Sequence, residues 1–288
     1  MEERVKKLSR ISAVLALLII VSGHLSAQNG AGQPALREYS NPPDIPAIDS
    51  VFMEDMTWLD IKKAMTSGKT TVIVPAGGLE ATGPFVTLNK HQNMLRGSTN
   101  LIARKLGNAL VAPAIKYVPP DEGNRGQFLG DFNISLAAYK QTLVDICTDL
   151  RNFGFKQIVL IGDHQGAQAG LKEVAEELTA KWAGGPAKVH YVAEYYDRTA
   201  VQNYIQNTLG ITQKNGGLGD NYYNTSILSA LDPDSIRLKQ RTAAKQLTVN
   251  GVSLEPIQKT IENGKKILEM QTDQTVKAIQ KVTAERVN

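Results

Sequence analysis

The sequence predicts an α/β protein with a mostly parallel central sheet flanked by helices, and three observations carry that reading. Short, largely β-branched or aliphatic runs recur at Thr70–Val74, Ala109–Ile115, Gln157–Ile161 and near Val189–Val192, as strands covered on both faces do. Segments with helical spacing alternate with them, which is the signature of βαβ units. Glycine, proline and acidic residues gather just past the strand ends, where open α/β sheets place ligands and chemistry.

Taken in order, the chain opens with a basic head (Arg4, Lys6, Lys7, Arg10), an apolar run from Ile11 to Val21 and a small-residue site at Leu25-Ser26-Ala27. That pattern reads as a secretory signal over 1–27, too short to span a bilayer, with an uncleaved anchor as the alternative; an exported, periplasmic or secreted protein is expected, free of the membrane once the signal is cleaved. Residues 28–50, rich in Gly, Pro and polar residues, read as an extended leader to a domain over 51–288. Thr57 caps a helix that runs to about Met65 and stops at Gly68. The first strand follows, and Pro75 is expected to end it, because a central strand needs its N–H. Gly77-Gly78 and Gly83-Pro84 shape a loop holding Glu80 and His91. A short helix over Ser98–Leu106 closes at Gly107 and leads into the second strand. The Gly/Pro/Asp-rich stretch 119–133 is a long loop of the kind that carries function or disorder. Leu136, Leu143, Ile146, Leu150 and Phe153 form the apolar stripe of a helix that Gly154 stops. The third strand ends at Gly162-Asp163-His164, a helix spans roughly Leu171–Trp182, and the fourth strand leads into Glu194-Tyr195-Tyr196-Asp197. After a Gly/Asn-rich stretch from Gly216, helix resumes at Thr225, and a helical tail over Leu254–Val282 is expected to pack across the outside.

Hydrophobic content of 42% and charge of 21% are those of a globular chain and exclude general disorder. Of its 32 basic and 28 acidic residues the signal over 1–27 holds four and two, leaving a net charge of +2, which makes no case for nucleic acid. Cys147 is the single cysteine, so no internal disulfide forms; it falls in the apolar helical stripe and reads as core. Ser98 and Ser226 lack a Gly-x-Ser-x-Gly setting, which argues against a serine hydrolase.

Beyond the leader the histidines are His91, His164 and His190. Two of them follow strand ends and one shares its loop with Glu80. A carboxylate and two imidazoles around one cation are a common catalytic set with positions open to water and substrate. The same residues also fit ordinary loop histidines and a helix-capping glutamate. His190 lies within a strand and reads as structural. Asp163 could orient His164 or serve as a polar turn residue; Asp220 could move a proton, or hold a turn as Asp in such loops commonly does. Lys90 could supply positive charge, although a lone loop lysine is usually solvated.

The motifs VIVPAGGLEATGP, LGNALVAP, GFKQIVLIGDHQGAQ and, more loosely, GLGDNYYNTSILSALDPDSIR resemble, in order and spacing, those of the creatininase (creatinine amidohydrolase) family over roughly residues 54–240. The resemblance implies a creatininase-like layered α/β fold and a metal-dependent hydrolase that cleaves a small cyclic or linear amide with a metal-activated water. It places Glu80 and His164 at two of the family's metal-ligand positions. Departures accompany it: Thr82 stands for a family histidine, His91 for a bridging aspartate, Gly166 for an acidic ligand and Gly219, beside Asp220, for a later histidine. Such changes remove a second metal and leave Glu80, His91 and His164 for one divalent ion, zinc or else manganese or iron, with Asp220 or Asp163 moving protons. A homo-oligomer is implied by the ring assemblies of the family. Two alternatives stay open: a non-catalytic relative whose degraded site binds a ligand or partner, and iron chemistry other than amide cleavage.

Overall fold

The computed structural model describes residues 43–121, 128–215 and 219–284. The expected signal over 1–27 and most of the leader lie outside them; residues 43–50 run without helix or strand.

The alternation of strand and helix closes into one parallel sheet. β1 (Thr71–Ala76) is central, β2 (Ala109–Val111) lies on one side, and β3 (Gln157–Gly162) and then β4 (Lys188–Tyr191) on the other. Every residue of β1 is buried, which is why its sequence shows no polar alternation. Val72, Val74 and Ala76 point to one face and meet Leu143, Cys147 and Leu150 of α3 (Leu136–Phe153), together with Leu171, Val174 and Leu178 of α4 (Gln168–Lys181). Ile73 points to the other face and meets Leu95 and Ile102 of α2 (Lys90–Leu106). The helix after β1 and the helix after β2 therefore cover opposite faces. Strand order 2-1-3-4 reverses between β1 and β3, a topological switch point that opens a crevice at their carboxyl ends.

Several local expectations are met. α1 (Trp58–Thr66) begins with a capping box: Asp60 N–H donates to Thr57 Oγ1 at 3.2 Å and Thr57 N–H to Asp60 Oδ2 at 2.9 Å. α2 and α3 end at Gly107 and Gly154 in the left-handed conformation (φ 75° and 105°). Cys147 is fully buried, and burial pushes its thiol up to about 12. His190, in β4, bonds Gln157 Oε1 at 2.7 Å, a structural contact.

Others are corrected. Pro75 does not end β1; it pairs with Ile161 of β3. Its carbonyl accepts from Ile115 N–H at 2.9 Å, and its nitrogen lies on that same side, where β2 has stopped at Val111, so no ladder bond is lost. α2 starts at Lys90, eight residues before Ser98, which puts His91 on a helix. The helix expected from Thr225 is α6 (Tyr222–Leu231), after α5 (Arg198–Asn203). The short elements that follow include α7 (Leu238–Ala243) and the antiparallel pair β5 (Thr248–Val249) and β6 (Val252–Ser253).

The tail forms α8 (Ile257–Ala284), set deeper than expected. Ile267 and Leu268 pack with Ile227 and Leu228 of α6, while Val276 and Ile279 join Ile73, Val159 and Ile161 on the sheet face. Gly264 permits the crossing: a Cβ there would lie 1.9 Å from the Ser226 carbonyl oxygen. α8 thus fixes α6, one wall of the cavity described next. Among the described residues no helix is long and apolar enough to cross a membrane.

Candidate metal centre

Glu80 reaches the crevice on the loop after β1. Leu79 bridges to Phe132 and Ala81 N–H donates to Asp131 Oδ1 at 2.7 Å, so the far end of the 119–133 loop pins this segment from outside. His91 comes from the first turn of α2, anchored by Gln92, whose side chain donates to the Gly77 carbonyl at 3.0 Å. His164 comes from the loop after β3. Gly77 and Gly78 are there for close approach. A Cβ on Gly77 would stand 2.9 Å from His91 Cβ, and one on Gly78 2.8 Å from the His164 ring.

The three predicted ligands converge. Glu80 Oε2 is 2.9 Å from His91 Nε2 and 4.0 Å from His164 Nε2, and one donor atom from each residue lies within 4.8 Å of the others. Both histidines are buried and Glu80 is half-buried. The two rings meet edge to face, centroids 5.3 Å apart.

Behind them, Asp163 is wholly buried and places Oδ2 2.7 Å from His91 Nδ1. Sequence reading paired Asp163 with His164; the structure gives it His91. With Nδ1–H donating to Asp163, a neutral His91 directs its Nε2 lone pair at the Glu80 carboxylate. Two acceptors at 2.9 Å need a cation or a proton between them. The donor set therefore fits a metal ion. Asp121, an acid within the flagged loop, accepts from Gly166 N–H at 3.0 Å and lies 3.5 Å from His164 Nδ1. Gly166 N–H also lies 3.1 Å from that Nδ1. When Asp121 takes the Gly166 bond, Nδ1 keeps its proton and Nε2 offers a lone pair. Burial, with the neighbouring His91, lowers the His164 pKa and favours the neutral imidazole.

Lys90 departs from expectation. Its ammonium is buried, only 2% exposed, and sits 2.9 Å from Glu80 Oε2. Burial pushes the Glu80 carboxyl up, but the His91 hydrogen bond and the Lys90 charge outweigh it and hold the group well below the usual carboxylate range. A Cβ on Gly219 would lie 2.5 Å from Lys90 Nζ, so the ammonium fills the space a side chain at 219 would need. Nothing in the sequence marks Lys90 except its place beside His91. Asp220 is held elsewhere: its Oδ1 accepts from Arg241 at 2.7 Å and from Thr225 Oγ1 at 3.2 Å, and it does not line the cavity. Arg198, which sequence reading passes over, lines the same cavity as Glu80.

Fold and cluster together define a parallel α/β protein with a candidate site of two imidazoles and a carboxylate at its topological switch point. The creatinine amidohydrolase family profile matches residues 54–279. Creatinine amidohydrolase of Pseudomonas putida is 25% identical over 205 residues, 66% of this chain and 75% of that protein. A crystal structure of creatininase superposes with a TM-score of 0.64 at 22% identity, covering 83% of this chain and 100% of that one. A manganese form of creatininase superposes with a TM-score of 0.61 at 22% identity, covering 81% of this chain and 98% of that one. A Zn–Zn form of a creatininase mutant gives the same values: a TM-score of 0.61, 22% identity, and coverage of 81% and 98%. The chain belongs to the creatininase family, whose members are amidohydrolases.

Proposed function

We propose that this protein is a single-metal amidohydrolase that cleaves a C–N bond in a small amide or lactam. The observation that carries the reading is the placement of His91 between two carboxylates, Asp163 at 2.7 Å and Glu80 at 2.9 Å, with the His164 imidazole beside them. Glu80, His91 and His164 would hold the ion. Zinc and manganese suit these ligands, both appear in creatininase structures, and iron also accepts a carboxylate with two imidazoles. When bound, such an ion polarises a carbonyl and lowers the pKa of its water. Asp163 fixes the His91 ring and its tautomer. Of the two aspartates put forward as proton carriers, Asp163 stands nearer the chemistry, while Asp220 is held in its pair with Arg241 outside the cavity lining. The basic-apolar-small opening of the sequence supports export.

A second reading rests on Lys90. Its ammonium already neutralises Glu80, as a degraded, metal-free site that binds a ligand without turnover would need. Metal analysis of purified protein separates the two. About one ion per chain, lost in His91→Ala and His164→Ala, supports the hydrolase, and amide-hydrolysis screens with and without chelator then follow. A chain that takes up no zinc or manganese, and melts at the same temperature with either ion or with chelator, refutes it.

A further inference from the structure

The cavity holding the cluster has a volume of about 400 Å³, and its wall carries a second built feature. Arg198, at the start of α5, lies between two aromatic faces: its guanidinium carbon is 4.3 Å from the Tyr196 ring centre and 4.7 Å from that of Tyr223. The stacking fixes the plane of the guanidinium; hydrogen bonds to the Tyr196 and Tyr223 side chains take up part of its edge, and its remaining N–H groups are left to donate. The nearest carboxylate oxygen, Asp163 Oδ1, is 3.6 Å away, within ion-pair range but beyond a hydrogen bond. Asp163 Oδ1 is itself a buried atom without a hydrogen-bond partner, so the contact does not saturate either group. Arg198 remains 36% exposed, on the cavity side, whereas Asp163 is not exposed at all.

Other charges on the wall are engaged. Lys90 is taken by Glu80, and Asp121 and Asp131 accept backbone N–H groups at 3.0 and 2.7 Å. Arg198 is thus the cavity cation that presents donors to an incoming molecule. A planar fork held between aromatic rings matches the two oxygens of a carboxylate. Asp163 joins the two ends of the site, with one oxygen 2.7 Å from His91 and the other 3.6 Å from Arg198. The Asp163 carboxylate and the His91 ring are what separate the arginine from the edge of the cluster that faces Glu80, a distance that one small molecule can span. A dianion would also meet the negative charge of Asp163, which favours a monoanion.

We infer that Arg198 anchors a substrate carboxylate, and that the substrates are small amides or lactams bearing a carboxylate a short span from the bond to be cleaved. The inference deepens the hydrolase reading and rests on it for the identity of the reacting bond, but the anchor is testable apart from turnover. Pyroglutamate and N-acetylglycine serve as probes, each compared with its own carboxamide, by calorimetry on the full zinc-treated chain. The carboxylates bind about tenfold or more tighter than the carboxamides. Arg198→Gln abolishes that preference, and Arg198→Lys, which keeps the charge but not the fork, retains part of it. Circular dichroism and zinc content measured on the same samples separate loss of the anchor from loss of the fold or of the ion. Equal binding of acid and amide, no binding of either acid at millimolar concentration, a preference that survives Arg198→Gln, or orthophosphate competing as well as the carboxylates would each overturn the assignment. A chain that takes up no zinc yet prefers the carboxylates through Arg198 refutes the hydrolase reading alone and upholds the anchor.

Discussion

Replacing Asp163 with Asn tests how the cluster is held together. The carboxylate lies at 0% exposure with Oδ2 2.7 Å from His91 Nδ1, so an isosteric amide enters the same space but brings two N–H donors. Turned one way, the amide nitrogen opposes His91 Nδ1–H and pushes the ring toward the tautomer whose Nε2 carries the proton. Turned the other way, the amide oxygen serves His91, but the nitrogen faces the Arg198 guanidinium, whose nearest nitrogen is 3.6 Å from Oδ1. Either orientation also removes a negative charge beside a cation site. Partners of this kind are worth about 10–100-fold in metal affinity, or about 1.4–2.7 kcal/mol. Full burial and the absence of a good amide orientation place Asp163→Asn at the upper end, near a hundredfold. Competition between the protein and a chromophoric chelator for zinc measures it, with circular dichroism confirming the fold. A zinc affinity within about threefold of the parent would show that Asp163 does not orient His91, and the assignment of its role would fail.

Lys90→Met removes an ammonium 2.9 Å from the Glu80 oxygen that an ion would use, so zinc affinity rises by about tenfold or more in the same assay. Unchanged or weaker binding would mean that the lysine supports the ion. Glu80 has a folded pKa below its usual value of 4.5, so its stabilisation is present above about pH 4.5 and is lost as pH falls further. Urea midpoints between about pH 4.5 and 3 therefore fall more steeply in the parent than in Glu80→Gln; parallel slopes would contradict this. Gly264→Ala drives a Cβ to 1.9 Å from the Ser226 carbonyl, which forces α8 and α6 apart at a cost of about 1–3 kcal/mol or more, read as a lower melting temperature. An unchanged melting temperature would show that the crossing relaxes freely.

The parallel sheet was legible because its strands are covered on both faces, and such runs cannot hide polar residues. Helix ends were legible where one residue decides them, as Gly107 and Gly154 do through left-handed backbone. The start of α2 was not. Gly97 interrupts its first two turns and reads as a breaker, yet a Cβ there would lie 2.4 Å from Leu231 Cδ1, so the glycine serves helix packing. Contacts of that kind depend on an element distant in sequence, and no local pattern reports them. The meeting of Glu80 and His164, two of the candidate ligands, was legible for the opposite reason: both follow strand ends that parallel pairing must bring to one edge, whichever helices intervene. Lys90 and Arg198 carry no local mark. A lone lysine at a helix start and a lone arginine after two tyrosines resemble solvated surface until the cavity closes around them.

Charge around the cavity ties these residues to the substrate. Glu80, Asp121, Asp131 and Asp163 contribute four negative charges around the two imidazoles, and Lys90 and Arg198 two positive ones. One divalent ion balances that excess. A second ion would leave two uncompensated positive charges in a partly buried space where Lys90 already occupies the room beside Gly219, which is the electrostatic reason to expect one ion per chain. A substrate carboxylate then enters a site that is neutral as a whole, so what holds it is the local pairing with the Arg198 guanidinium and not the net charge of the cavity. The built-in lysine sets the number of ions, and the arginine sets where a carboxylate can sit.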